Sequence, residues 1–138
     1  MPKPPACPDK VNVLLIGGGG REHALGWKLK KSGRLGKLWI DAAKHGGLAP
    51  LGECCPISTV GPFHEKSNDL FQLRNWCDEN NIQLVVVGPE IPLADGIHDA
   101  LATDTRLVFG PTAEGARLEA DKAFAKQLMR SANVPTAD

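Results

Sequence analysis

Residues 11–25, with the sequence VNVLLIGGGGREHAL, predict a buried strand, a glycine-rich turn and the start of a helix. Residues 13–16 form a continuous, partly β-branched apolar run, which is typical of a strand covered on both faces of a parallel sheet. The four glycines that follow carry no Cβ, so the main chain can turn tightly and approach a ligand closely. Helical spacing then resumes, and it places the start of a helix near Arg21.

The glycine-rich turn is a candidate phosphate site. The first N–H groups of a helix have no helical acceptor, and the helix dipole makes this end positive. A phosphate group satisfies both features, and Arg21 adds a fixed positive charge beside them. We therefore predict phosphate binding at this turn. A glycine-rich turn without a ligand is the alternative.

The fingerprint of dinucleotide-binding turns, G-x-G-x-x-G, is incomplete here. Gly17 and Gly19 fill its first two positions, but Glu22 stands at the third, and a shift of one residue places His23 there. Because the third glycine allows the helix to pack closely on the strand, a larger residue argues against a dinucleotide. A substrate with a single phosphate is favoured. For the alternative, a nucleotide-dependent oxidoreductase, Asp41 is the candidate ribose-binding acid.

Composition limits the class of protein. The 138 residues allow one compact domain and a small part of a second. Lys+Arg and Asp+Glu each number 16, so a formal net charge of zero provides no electrostatic case for nucleic acid or a membrane surface. No apolar stretch approaches the roughly 20 residues of a transmembrane helix, and the first ten residues lack a signal core. We expect a cytoplasmic protein without nucleic-acid or membrane partners.

The cysteines predict neither disulfides nor a metal site. Cys54 and Cys55 are adjacent, which disfavours a bridge between them, and no C-x-x-C pair occurs. Reduced thiols are expected. A metal site built from these two cysteines with His45 and His64 would match no familiar ligand spacing, so none is predicted.

The rest of the chain alternates between strand and helix patterns. We predict strands over residues 37–40, 82–87 and 107–109, and helices over 68–81, along Leu93, Ile97 and Leu101, and over 113–132. Residues 41–56 are predicted to be a loop, in which His45, Gly46 and Gly47 either border the phosphate pocket or form a plain connection. This order predicts an α/β fold with a mainly parallel sheet and helices on both faces.

A second candidate segment follows the predicted strand over residues 82–87. It reads Gly88-Pro89-Glu90-Ile91-Pro92, and its two prolines hold a rigid loop at the carboxyl edge of the sheet, where such sheets bind ligands. Glu90 then either accepts a hydrogen bond from a ribose hydroxyl or an amine, or caps a helix start as a solvated side chain.

Three segments, taken together and in order, resemble the amino-terminal region of phosphoribosylamine-glycine ligase, also called glycinamide ribonucleotide synthetase. They are LLIGGGGREHALGWKL, VVVGPEIPLADGI and VFGPTAEGARLEADKAFAKQLMRSANVPTA, and the resemblance covers most of residues 11–138. That family joins glycine to 5-phosphoribosylamine in purine biosynthesis through a glycyl phosphate, using ATP and Mg²⁺ or Mn²⁺. It belongs to the ATP-grasp enzymes, whose amino-terminal, pre-ATP-grasp domain is Rossmann-like.

The resemblance also implies roles for individual residues. The phosphate of phosphoribosylamine would be received by Gly17, Gly18, Gly19, Gly20, Arg21, Glu22 and His23. Gly88, Pro89 and Glu90 would flank its sugar and amine, and Lys122 would contact the phosphates of ATP. Residues 42–47, AAKHGG, depart from the Pro-Gly-Asn-Ala-Gly-like segment of the family, and the asparagine is absent.

The implied organisation has three parts: a flexible leader at residues 1–10, a Rossmann-like substrate-binding domain at 11–111, and a linker with a first helix at 112–138. That helix would lead into an ATP-grasp domain outside this sequence. We therefore expect a chain that binds phosphoribosylamine but does not ligate it, holds no cofactor tightly by itself, and works with glycine, ATP and the remainder of a longer chain. A non-catalytic nucleotide-binding module with the same pocket is the alternative.

Overall fold

The computed structural model describes residues 8–41, 46–57, 59 and 68–136. The strands are β1 (Val11–Ile16), β2 (Leu35–Asp41), β3 (Glu53–Cys55), β4 (Ile82–Val87) and β5 (Leu107–Phe109). The helices are α1 (Gly20–Lys30), α2 (Asn68–Glu79), α3 (Glu90–Ala94), α4 (Ile97–Leu101), α5 (Ala113–Ala120) and α6 (Lys122–Ser131), with a 3-10 turn at Gly46–Leu48. Most of the predicted leader, residues 1–7, lies outside the described residues.

The five strands form one parallel sheet in the order β3-β2-β1-β4-β5. The chain moves outward from β1 to β3 and then crosses back to place β4 on the other side of β1. At such a reversal the connections after the two neighbouring strands leave in opposite directions, which opens a crevice at their carboxyl ends. The predicted α/β fold is confirmed, and its crevice lies between β1 and β4.

Alternate side chains of β1 enter two separate core layers. Leu14 and Ile16, both 0% exposed, pack with α2, α3, α4 and α5 on one face of the sheet. Val13 and Leu15 pack beneath α1 on the other face. A strand buried on both faces needs a continuous apolar run, since each face meets its own layer of helices. Helices therefore cover both faces of the sheet, as predicted.

The predicted loop over residues 41–56 contains a strand. Residues Glu53–Cys55 form β3 at the sheet edge, where Cys55 pairs with Asp41. The strand has only three residues, of which Glu53 and Cys54 are exposed. Its sequence, ECC, therefore has no apolar alternation that a pattern search could detect.

The predicted helix through Leu93, Ile97 and Leu101 is two short helices, α3 and α4. Gly96 separates them with a φ of 94°, a left-handed conformation that ends one helix and begins the next. The spacing of four persists across the break because all three apolar side chains face the larger core layer. Asp95 is the C-cap of α3.

The predicted helix over residues 113–132 is likewise divided, into α5 and α6. Asp121 adopts an extended conformation between them, and its Oδ1 accepts the Phe124 N–H at 3.0 Å, which caps α6. This hydrogen bond lowers the pKa of Asp121. α5 packs on α3 and α4, and Ala116 enters the larger core layer. The division at residues 111 and 112 stays a prediction.

Arg106 is a buried charge that the sequence patterns did not indicate. It is 4% exposed, and its Nε donates to Leu101 O at 2.8 Å. Its Nη1 donates to Asp78 Oδ1, also at 2.8 Å. The guanidinium thus joins the end of α2 to the segment that leads from α4 into β5, and its partners are set only by the tertiary fold.

Candidate functional site

The turn after β1 and the turn after β4 meet at the carboxyl edge of the sheet. Ile16 lies opposite Val87 in the register of the two strands, and the next residue, Gly88, donates its N–H to Ile16 O at 3.1 Å. Arg21 Nη1 donates to Gly88 O at 2.6 Å across the crevice. Two segments that were predicted separately as ligand-binding, 67 residues apart at this contact, are therefore neighbours.

Gly17 has no room for a side chain. Its φ is 107°, and a Cβ there would lie 2.7 Å from Pro89 Cδ. Its N–H donates to Asp41 Oδ2, at the end of β2, at 3.3 Å. Asp41 is 4% exposed, so a buried carboxylate takes the first amide of the turn.

Glu22 folds back over the turn instead of facing solvent. Its side chain is 5% exposed, and its Oε2 accepts the Gly19 N–H at 2.6 Å. Arg21 Nε lies 3.3 Å from its Oε1, and within the described residues that buried oxygen accepts no hydrogen bond. A Cβ on Gly88 would overlap with the same oxygen. The Glu22 side chain thus occupies the space between the two turns, which is free because Gly17 and Gly88 have no side chains.

The outer side of the turn is open. Gly19, Gly20, Arg21 and His23 are exposed, and a Cβ on Gly20 would have no atom within 4 Å. The N–H groups of Gly20, Arg21 and Glu22 belong to the first turn of the helix. They have no helical acceptor, because the helix has no carbonyl group four residues before them. The Arg21 side chain, 63% exposed, lies beside them. The outer side therefore combines backbone donors with one guanidinium.

Glu90 is the first residue of α3, and Pro89 precedes it as the N-cap in an extended conformation. The predicted rigid loop therefore ends at Pro89, and Pro92 lies inside the short helix, whose first turn tolerates a residue without an N–H. Within the described part of the chain, the Glu90 carboxylate makes no hydrogen bond or ion pair. It is half-buried at the edge of the crevice, and its role stays a prediction.

Lys122 lies far from the glycine-rich turn in sequence, on a separate helix. It is an exposed residue at the start of α6, a helix that packs on α5. Arg117 of α5 stacks on the Phe124 ring of α6, with its guanidinium carbon 4.0 Å from the ring centroid. The contact of Lys122 with ATP stays a prediction.

His45 and His64, two members of the metal arrangement weighed from the sequence, lie outside the described residues. Cys54 is exposed, whereas Cys55 and Cys77 are buried, and all three are free thiols. Burial raises the pKa of Cys55 to about 11 and that of Cys77 to about 12. Within the described residues, no three His, Cys, Asp or Glu side chains form a group that could hold a metal ion.

Two smaller predictions concern the loop after β2 and the membrane. Gly46 and Gly47 are exposed on the 3-10 turn, and their part in a pocket stays a prediction. Of residues 42–47, where the sequence departs from the family pattern, 42–45 lie outside the described residues. None of the helices in the described part of the chain has the length and apolar character needed to span a bilayer.

A parallel sheet of this strand order, with a glycine-rich turn at its crossover, defines a Rossmann-like α/β domain. Residues 11–119 match the family described as "Phosphoribosylglycinamide synthetase, N domain". The chain belongs to this family, and the resemblance inferred from the three sequence segments is confirmed.

Curated relatives carry the corresponding names. The chain is 42% identical to a phosphoribosylamine–glycine ligase of Nostoc sp. over 92% of its own length and 28% of the relative. It is 40% identical to that of Rhodopirellula baltica over 94% of the chain and 28% of the relative. A trifunctional purine biosynthetic protein of Drosophila melanogaster is 42% identical over 91% of the chain and 9% of the relative. The chain thus spans less than a third of these proteins.

Proposed function

We propose that this chain is the amino-terminal, substrate-binding portion of a cytoplasmic phosphoribosylamine-glycine ligase. The complete enzyme would join glycine to 5-phosphoribosylamine with ATP and Mg²⁺ or Mn²⁺, and form glycinamide ribonucleotide, ADP and phosphate. The observation that carries the proposal is the meeting of the glycine-rich turn with Gly88 and Pro89 at the crossover of the sheet. This is the position at which open α/β sheets bind ligands.

The phosphate of the sugar would bind at the outer side of the glycine-rich turn. The N–H groups of Gly20 and Arg21 and the Arg21 guanidinium supply hydrogen bonds and positive charge there. Gly17, Gly18, Gly19 and Glu22 would shape the turn around this site. His23 would border it from the exposed surface of α1. The closeness of helix end and guanidinium supports this assignment.

The sugar and its amine would lie toward the turn after β4. Gly88 and Pro89 form the opposite wall of the crevice, and Glu90 lies at its rim. A carboxylate that is not already paired can accept hydrogen bonds from a ribose hydroxyl or from the amine. Glu90 would therefore help to position the sugar and its amine at the rim of the crevice.

Ligation needs more than this crevice. An acyl phosphate requires a metal ion and cationic groups where its charge develops, and the amine must be held in line to attack it. We assign ATP and the metal to other parts of the complete enzyme, and we assign Lys122 a contact with the ATP phosphates. The residues described here would hold the sugar phosphate and leave the chemistry to that longer protein.

Titration with ribose 5-phosphate, followed by calorimetry, tests the binding proposal. We expect weak, saturable binding that Arg21→Ala reduces about tenfold, since loss of one charge-assisted contact costs on the order of 1.4 kcal/mol. Lys28→Ala is the matched control, because it removes the same charge from the last turn of α1. Absence of binding to the unmodified chain, or equal losses in both variants, would contradict the proposal.

A ligation assay tests whether the chemistry requires the complete enzyme. Residues 1–138, supplied with glycine, phosphoribosylamine, ATP and Mg²⁺, should form no glycinamide ribonucleotide. Product formation by this chain alone would show that the chemistry does not depend on a longer protein.

A further inference from the structure

The Glu22 carboxylate occupies the part of the turn that a dinucleotide would need. In a dinucleotide-binding turn, the second glycine allows the backbone to approach the pyrophosphate. Gly19 holds that position here, and its N–H already donates to Glu22 Oε2 at 2.6 Å. A Cβ on Gly19 would lie 3.0 Å from the same oxygen. The close approach that the glycine permits is therefore made by a side chain of this protein.

The charge of Glu22, like its shape, disfavours a pyrophosphate inside the turn. Its side chain is 5% exposed, so solvent screens the carboxylate poorly. Its Oε1 is buried against Gly88 and accepts no hydrogen bond within the described residues, with Arg21 Nε 3.3 Å away. A second anion placed inside the turn would lie next to this carboxylate, and the two like charges would repel each other.

We propose that Glu22 is a specificity-determining residue, whose carboxylate takes the pyrophosphate position and restricts the crevice to a ligand with one phosphate. The inference rests on the proposed function for the presence of a phosphorylated ligand, which would bind outside the carboxylate, at Gly20 and Arg21. Dinucleotides and other pyrophosphate-linked ligands are excluded, because their linking group has to enter the turn.

Two substitutions separate the shape of Glu22 from its charge. Glu22→Gly removes both and completes the pattern G-x-G-x-x-G with Gly17 and Gly19. Glu22→Gln keeps the shape and the acceptor for the Gly19 N–H, but removes the charge. Glu79→Gln is the control, because Glu79 ends α2 at the opposite edge of the sheet and carries the same charge.

Calorimetric titration with ADP-ribose, a ligand with a linking pyrophosphate, measures how each substitution changes the affinity. We expect the affinity for ADP-ribose to rise at least about tenfold in Glu22→Gly and about threefold in Glu22→Gln, and to stay unchanged in Glu79→Gln. Circular dichroism and urea unfolding verify that each variant is folded. If Glu22→Gly does not fold, the comparison of Glu22→Gln with the unmodified chain decides.

The proposal is overturned if folded Glu22 variants gain no affinity for ADP-ribose, or if Glu79→Gln gains as much. It is also overturned if the unmodified chain binds ADP-ribose as tightly as ribose 5-phosphate. The ribose 5-phosphate titration separates this result from the proposed function. If the unmodified chain does not bind ribose 5-phosphate but the Glu22 variants gain affinity for ADP-ribose, only the substrate assignment is contradicted. If the unmodified chain binds ribose 5-phosphate but the variants gain no affinity for ADP-ribose, only the role of Glu22 is contradicted.

Discussion

The carboxylate of Glu22 lies directly against the Cα of Gly88, so that a Cβ at residue 88 would overlap with Glu22 Oε1. This contact joins the first turn of α1 to the end of β4. Together with the hydrogen bond from Arg21 Nη1 to Gly88 O, it links the two walls of the crevice.

Gly88→Ala should therefore destabilise the fold. The added methyl group meets a buried carboxylate, and overpacking of this kind costs about 1–3 kcal/mol. Urea unfolding measures the loss. A double variant with Glu22→Ala should recover part of it, because the shortened side chain no longer occupies the contact.

Gly20→Ala is the matched control for that substitution. A Cβ on Gly20 would have no atom within 4 Å, and its position in the first turn of α1 suits alanine. We expect unchanged stability or a gain of up to about 1 kcal/mol. Equal losses in Gly20→Ala and Gly88→Ala would show that the turns do not differ in packing.

Gly96→Ala tests the break between α3 and α4. Its φ of 94° places an alanine in the left-handed region, which costs about 1–2 kcal/mol. Chemical unfolding should show this loss. Gly33→Ala serves as the comparison, because a Cβ there meets no neighbour within 4 Å and its φ is not positive. A helix continuous through residue 96 would instead be stabilised by the alanine.

Leu15→Ala and Leu107→Ala compare one chemical change in two environments. Leu15 is 0% exposed beneath α1, so its truncation should cost about 2–5 kcal/mol. Leu107 is 68% exposed on the edge strand β5, and its truncation should change the stability by less than about 0.5 kcal/mol. Urea midpoints measure both. Similar losses at the two positions would contradict the described burial.

The thiols should differ in reactivity toward a disulfide reagent such as Ellman's reagent. Cys54 is exposed and should react in the native protein at pH 8. Cys55 and Cys77 are buried, with pKa values raised to about 11 and about 12, so they should react only on unfolding. Cys7, outside the described residues, is replaced by serine in this test. Rapid labelling of all three thiols would contradict the burial.

The same two thiols predict a fall in stability at alkaline pH. In the folded state, burial raises their pKa values from the ordinary value of 9.0 to about 11 and about 12. Above pH 9 the unfolded chain therefore loses protons that the folded chain keeps. Their contribution to the free energy of unfolding is complete below pH 9 and is lost as the pH rises through about 11 for Cys55 and about 12 for Cys77. Urea midpoints at pH 8 and pH 10 measure the change, and no tyrosine is present to add to it. A variant with Cys55→Ala and Cys77→Ala should show a smaller fall.

Local sequence patterns predicted those strands and helices whose apolar pattern is carried by residues close together in the chain. The strand over residues 82–87 was predicted with the bounds that the structure has, because a β-branched apolar run reports burial directly. The edge strand β3 was missed, since three residues of mixed exposure carry no period. The helices through Leu93 and beyond residue 113 were predicted too long, because apolar spacing continues across breaks at Gly96 and Asp121 that depend on single backbone angles.

The sequence by itself determined the family, the parallel α/β class and the two segments that border the crevice, because motifs and apolar periods are carried by residues close together in the chain. Only the tertiary structure decided that the Glu22 carboxylate packs against Gly88, since this contact comes from a strand more than sixty residues away. The physical reason is that Gly88 closes the space around this carboxylate, and Gly88 reaches it only when β1 and β4 pair.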